Sequence, residues 1–124
     1  MTGRTGLVML IEDDDDLREV EAGVLERAGF RVQVARDGLE ALEKVADEMP
    51  RLIFLDMRMP GMDGWAFARE FRARHDHRAA IVVVTAAASA ETRAAEIAAD
   101  GALGKPFDAR DFIELARQHL ECEP

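Results

Sequence analysis

At 124 residues the chain has room for one domain around one core, and no stretch has the composition of a linker to a second. Hydrophobic residues at 48% and charged residues at 33% suit a soluble globular protein, and no apolar run approaches the roughly 18 residues that span a bilayer. With 25 acidic against 16 basic residues the net charge is −9, which repels phosphate backbones and disfavours direct nucleic-acid binding.

The first residues, Met1-Thr2-Gly3-Arg4-Thr5-Gly6, contain no long apolar segment and no small-residue cleavage site, so the expected compartment is the cytoplasm, without membrane contact. A single cysteine, Cys122, excludes an internal disulfide and a cysteine-based metal site and reads as an incidental thiol.

Short apolar runs then alternate with helical patterns five times, the arrangement of parallel strands joined by crossover helices, with strands buried on both faces. The first strand is expected over residues 7–11, followed by a helix over 15–28 with Leu17, Val20, Val24 and Leu25 at helical spacing and Gly29 as its C-terminal cap. A second strand (31–35) leads to a helix over 38–49 carrying Leu39, Leu42 and Val45, which Pro50 stops. The third strand (52–55) ends on Asp56 and turns through Pro60, Gly61 and Gly64 into a helix over 64–74 with Trp65, Phe67, Ala68 and Phe71. The fourth strand (81–85), β-branched throughout, precedes an alanine-rich helix over 90–99 whose only large apolar residue is Ile97, the least anchored element. A weak fifth strand (102–104) and a helix over 109–120 with Phe112, Ile113, Leu115, Ala116 and Leu120 complete the chain.

The run Glu12-Asp13-Asp14-Asp15-Asp16 taken alone is most simply a solvated face. Its place changes that reading, because Glu12 and Asp13 directly follow the first strand, and open α/β sheets bind ligands at strand carboxyl ends. If strands one and three are neighbours, Glu12, Asp13 and Asp56 converge. Three such carboxylates stay ionised together only with a divalent cation, and all-oxygen ligation suits Mg²⁺. Asp14, Asp15 and Asp16 fit the capped, electropositive start of the first helix. Thr85 and Lys105 also stand at strand ends, where a hydroxyl donor and a cation can meet a phosphoryl group.

Competing motifs fail. Gly104-Lys105 is not a phosphate-binding P-loop, since Ala99 occupies the first glycine position and Pro106 replaces the hydroxyl residue. No Gly-x-Gly-x-x-Gly follows the first strand. His75, His77 and His119 lack metal-ligand spacing and read as surface residues, and Trp65 reads as packing rather than a ligand contact.

In order and spacing, Ile11-Glu12-Asp13-Asp14, Asp56-Met57-Arg58-Met59-Pro60-Gly61-Met62-Asp63-Gly64, Val84-Thr85-Ala86 and Lys105-Pro106-Phe107 resemble the receiver domain of two-component response regulators, of the bacterial chemotaxis type. The resemblance covers essentially the whole chain. It implies a flavodoxin-like, doubly wound (βα)5 fold, a five-stranded parallel sheet in the order 2-1-3-4-5, and one receiver domain over residues 1–124 with no output domain. It further implies that Asp56 accepts a phosphoryl group from a sensor histidine kinase or histidine phosphotransfer protein, and that the phosphorylated state signals to a downstream protein target. Mg²⁺ would be held by Asp13, Asp56 and the backbone carbonyl of Arg58, with Glu12 acting through water. Thr85 and Lys105 would grip the phosphoryl oxygens, and the Lys105-Pro106 peptide would be cis.

Two departures from the family pattern stand out. Ala102 takes the place of the usual aromatic switch three residues before the lysine, and the span from Thr85 to Lys105 is about two residues short, so the face of helix four, strand five and helix five is expected to be remodelled. A haloacid-dehalogenase-type phosphohydrolase would need a second aspartate where Arg58 stands, and so lacks its general acid. A receiver-like interaction module that is never phosphorylated is the other alternative, favoured by Ala102 and opposed by the complete Asp, Thr and Lys set.

Overall fold

The computed structural model describes residues 6–59 and 61–121; Met1 to Thr5, Pro60 and Cys122, which figure in the sequence reading, lie outside the described residues. Five strands, β1 (Leu7–Ile11), β2 (Arg31–Ala35), β3 (Leu52–Asp56), β4 (Ala80–Ala86) and β5 (Gly101–Lys105), form one parallel sheet in the order β2-β1-β3-β4-β5. The helices between and after them are α1 (Asp15–Arg27), α2 (Gly38–Asp47), α3 (Gly64–His75), α4 (Ala90–Glu96) and α5 (Ala109–Glu121). This is the flavodoxin-like architecture and strand order expected from the sequence.

Alternating residues of the central strands feed two cores, as the two-residue period of a strand requires. Met9, Ile11, Ile53, Leu55, Ile81 and Val83 pack against α2, α3 and the end of α4, through Leu42, Phe67, Phe71 and Ile97 among others. Val8, Leu10, Phe54, Val82 and Val84 pack against α1 and α5, through Leu25, Phe112, Ala116 and Leu120. Burial on both faces holds for β1 and β3 throughout, but not for β2 and β5, which are the sheet edges and stay largely half-exposed.

Several boundaries move. β5 runs a residue further at each end than residues 102–104, because its pairing with β4 continues from Gly101 to Lys105. α2 stops at Asp47 rather than Met49: Glu48 is already extended, and the residue before Pro50 is sterically barred from the helical region. α4 ends at Glu96, three residues early, and a 3-10 turn at Ala87–Ser89 precedes it. Beyond it Ala98 adopts a left-handed φ of +51°, and the Arg72 guanidinium of α3 donates to the carbonyls of Ile97 and Ala98, so the helix cannot continue. Gly29, at φ +103°, closes α1 as expected of a C-terminal cap glycine.

The phase of two helices also differs from their apolar spacing. Leu39 of α2 is 59% exposed, and on α1 Val20 is 61% and Leu17 41% exposed, whereas Glu21 is buried at 8%. Leu25 holds the α1 stripe in the core, and the turn preceding it puts Glu21, not Val20, on the inward side.

Candidate functional site

Strand register brings the candidate residues to one level. Ile11 of β1 pairs with Leu55 of β3, so Glu12 and Asp56, the next residue on each chain, emerge side by side. Asp56 pairs with Val84 of β4, placing Thr85 one residue beyond it, and on the other flank Thr85 pairs with Gly104 and Ala86 with Lys105. Glu12, Asp13, Asp56, Arg58, Thr85 and Lys105 consequently line one cavity of about 440 Å³ at the carboxyl end of the sheet. Thr85 is a strand residue as expected, and Lys105, expected just past residues 102–104, is the last residue of β5.

Local chemistry shapes each wall. Asp14 caps α1 by accepting from the Leu17 amide at 3.0 Å, as its position suggested, and Arg18 ties α1 back to β1 by donating to the Glu12 carbonyl at 2.9 Å. After Asp56 the chain must turn tightly, and the Gly64 amide donates to the Met57 carbonyl at 3.2 Å. A side chain at Gly64 would strike the Met57 backbone, with a Cβ only 2.8 Å from its Cα, so glycine allows this closure. Asp63 then starts α3 by accepting from the Ala66 amide at 2.9 Å.

Carboxylate oxygens of Glu12, Asp13 and Asp56 lie within 4.8 Å of one another, with Glu12 and Asp56 buried and Asp13 exposed. Burial pushes the Asp56 carboxyl up to about 7; the Arg58 amide, donating at 3.1 Å, opposes this, Glu12 adds to it and Lys105 counters it. Lys105 donates to Glu12 Oε1 at 3.3 Å. Burial works against the Lys105 charge, but Glu12 and Asp56 outweigh it and raise the ammonium above its ordinary value. The buried pair of carboxylates beside an exposed third fits a hard divalent cation with oxygen ligands. The Lys105-Pro106 peptide is cis.

Glu21 escaped the sequence reading. It lines a second groove together with Lys105, and burial, then Glu12, pushes its carboxyl up to about 7. The available signal was its place one helical turn after Leu17 and one before Leu25, on an otherwise apolar stripe. Trp65 packs against the core as expected and donates from Nε1 to Glu96 at 2.7 Å with Arg93 over its ring, which joins α3 to α4. Of the three histidines, none belongs to a candidate metal cluster among the described residues, and His75 packs its ring on Phe71. Ala102 pairs with Val83 and lines a groove of about 760 Å³ between α4, β5 and the start of α5.

Residues 8–117 match the family model of the response regulator receiver domain. The chain is 35% identical over 115 residues to the response regulator MprA of Mycobacterium ulcerans, covering 91% of this chain and 49% of that protein. It is 36% identical over 115 residues to the transcriptional regulatory protein CseB of Streptomyces coelicolor, covering 91% and 48%. The chain thus spans about half the length of the curated relatives it matches. Among solved structures, the receiver domain of NtrX from Brucella abortus superposes with a TM-score of 0.84 at 31% identity, over 94% of this chain and 99% of that one. The chemotaxis protein CheY4 of Vibrio cholerae superposes at 0.85 with 28% identity, over 94% and 99%.

Proposed function

Because this chain belongs to the response regulator receiver domain family, we propose that Asp56 takes a phosphoryl group from a phosphohistidine of a sensor histidine kinase or histidine phosphotransfer protein. The observation that carries this reading is the single cavity shared by a buried carboxylate, a hydroxyl, a half-buried ammonium and three further acids. An Asp56 oxygen attacks phosphorus, the phosphorus–nitrogen bond breaks, and the leaving imidazole takes its proton from solvent. Lys105 exchanges Glu12 for a phosphoryl oxygen and the Thr85 hydroxyl donates to another, so developing charge meets donors already in place. Hydrolysis of the acyl phosphate by water later restores the carboxylate.

Asp13, Asp56 and the Arg58 carbonyl would hold Mg²⁺, with Glu12 acting through water. A bound Mg²⁺ neutralises charge on the phosphoryl oxygens and favours the ionised form of Asp56. Asp13→Ala is expected to weaken Mg²⁺ binding at least about ten-fold without destabilising the metal-free fold, since it removes a ligand and also a repulsive charge. Unchanged affinity would exclude Asp13 from the site.

The β–α units act as one receiver, in the cytoplasm, passing the signal to a protein target rather than to nucleic acid or a membrane. The net charge of −9 supports the first exclusion, and among the described residues no helix is long and apolar enough to cross a membrane. The test is incubation with acetyl phosphate and Mg²⁺ followed by intact-mass measurement. The chain should gain one acid- and hydroxylamine-labile phosphoryl group, and Asp56→Asn should gain none. A wild-type chain that stays unmodified would instead support the fixed, unphosphorylated interaction module, which Ala102 favours because no aromatic ring is available to relay a switch.

A further inference from the structure

A groove of about 480 Å³ runs between α3 and α4 and shares no lining residue with the phosphoacceptor cavity. It lies between two cross-links. At one end Trp65 donates from Nε1 to Glu96, and at the other Arg72 donates to the carbonyls of Ile97 and Ala98. Trp65 and Arg72 stand two turns apart on α3, roughly 10 Å along its axis, with Ala68 and Arg69 between them and Ala95 of α4 completing the lining.

The chain has a net charge of −9, yet this wall is basic. Residues 69–78 hold Arg69, Arg72, Arg74 and Arg78 against Glu70 and Asp76. Arg74 pairs with Glu70 at 2.8 Å, whereas neither Arg69 nor Arg72 has a carboxylate partner among the described residues. Arg69 is exposed. Arg72 is half-buried; it spends donors on the two carbonyls that end α4, and its Nε is buried without a hydrogen-bond partner. Carbonyl dipoles leave the charge of that guanidinium unneutralised, so a carboxylate placed against it gains more than at a fully solvated arginine. The acid in the lining, Glu96, is already held by Trp65 and by Arg93 at 2.6 Å.

We infer that the groove between α3 and α4 docks an extended acidic segment of a protein partner, with an apolar side chain between Trp65, Ala68 and Ala95 and an aspartate or glutamate two residues along paired with Arg69 and Arg72. A span of roughly 10 Å takes about three extended residues, and side chains two apart point the same way. Arg69, Ala95, Glu96 and Ala98 are all exposed, so the groove is open along its outer edge and cannot enclose a small ligand as a small-molecule pocket does. Charge complementarity selects the partner, because an uncharged residue at the acidic position leaves both guanidinium groups unpaired. Docking on this face is independent of the chemistry of Asp56, since the two sites have no residue in common.

The test titrates acetylated and amidated peptides into the isotopically labelled full chain without divalent metal, so that no carboxylate is captured through a metal at the acidic cluster. Two peptides present leucine at i and differ at i+2, one having glutamate and the other glutamine. Saturable amide shifts are expected at residues 65–72 and 95–98, with the glutamate peptide binding about ten-fold more tightly. Arg69→Gln, a change at an exposed position, is expected to remove most of that preference, and Arg69→Glu to turn it into a preference for a peptide with lysine at i+2. Equal affinity of the glutamate and glutamine peptides for the wild-type chain, shifts confined to other parts of the chain, or no saturable shift at all overturns the proposal without any variant. A glutamate preference that survives unchanged in both Arg69 variants overturns it as well. Isocaproate binding as tightly as the glutamate peptide overturns it too, because the groove would then belong to a small organic acid.

Discussion

Lys105 Nζ lies 3.3 Å from Glu12 Oε1, joining the carboxyl ends of β5 and β1 although β3 and β4 stand between them in the sheet. Both residues line the cavity that holds Asp56 and Thr85, so the ammonium stands near Asp56, the proposed phosphoacceptor, and opposes cation binding there. Lys105→Met should therefore tighten Mg²⁺ binding, by removing a like charge, and slow phosphorylation by acetyl phosphate by a factor of about 100, by removing a donor to the transition state. Mg²⁺ titration and the rate of mass gain check the two halves. A variant that loses Mg²⁺ affinity would show that Lys105 orders the acids instead of competing with the metal.

Stability should depend on pH in an unusual direction. Asp56 and Glu21 are each pushed up to about 7 in the folded chain, against ordinary values of 3.8 and 4.5. Between those limits the folded state holds more protons than the unfolded state, so stability falls as pH rises from about 4 to about 7 and stays low above that. For Glu21, at about 1.4 kcal/mol per pH unit of displacement, the loss is on the order of 3 kcal/mol. Denaturant unfolding without Mg²⁺ at pH 5 and pH 8 should show wild type weaker at pH 8, with Glu21→Leu recovering much of the difference. Identical pH profiles for the two proteins would mean that the Glu21 carboxyl is solvated. Mg²⁺ should restore stability more at pH 8 than at pH 5, because it binds ionised acids.

Arg58 contributes its amide to Asp56, while its exposed side chain borders the same cavity. If Asp56 is phosphorylated, a long cationic chain two residues past it would cover the approach of water and pair with the phosphoryl group. Arg58→Ala should shorten the lifetime of the aspartyl phosphate about ten-fold, the scale of one charge-assisted hydrogen bond, and leave the rate of formation nearly the same. Decay followed by intact mass after removal of acetyl phosphate measures this, and equal lifetimes would remove the side chain from the chemistry.

The segment after Thr85 is the candidate moving part. It buries little apolar area of its own, Ala90 and Ile97 being its core residues, and is further held by Arg72 and by the Trp65 bond to Glu96. With Ala102 in β5 no ring can follow Thr85 inward, so the response must pass through this segment itself. Beryllofluoride with Mg²⁺ is expected to change hydrogen-exchange protection most in residues 86–99 and to alter Trp65 emission, the latter change shrinking in Glu96→Gln. Protection changes limited to residues 56–63, with 86–99 unaffected, would restore the fixed-surface reading.

Asp56 at the end of an apolar run, the acids after the first strand and the lysine before Pro106 are local facts of the chain, and strand chemistry is enough to assign them to a parallel sheet. The α/β alternation, the cap at Gly29 and the Asp14 cap follow from short-range sterics and hydrogen bonding, so they are legible without neighbours. Convergence is different: Glu12, Asp56, Thr85 and Lys105 meet because strand order and register align four carboxyl ends, and register is a property of paired strands, not of any one. The same holds for Glu21, Val20 and Leu39, whose burial depends on how each helix is rotated against the sheet, and for α4, which Arg72 of another helix helps to end. Apolar spacing identifies a helix and its approximate inward face, but a rotation of part of a turn, set by packing against distant residues, decides which side chain at the edge of that face is buried.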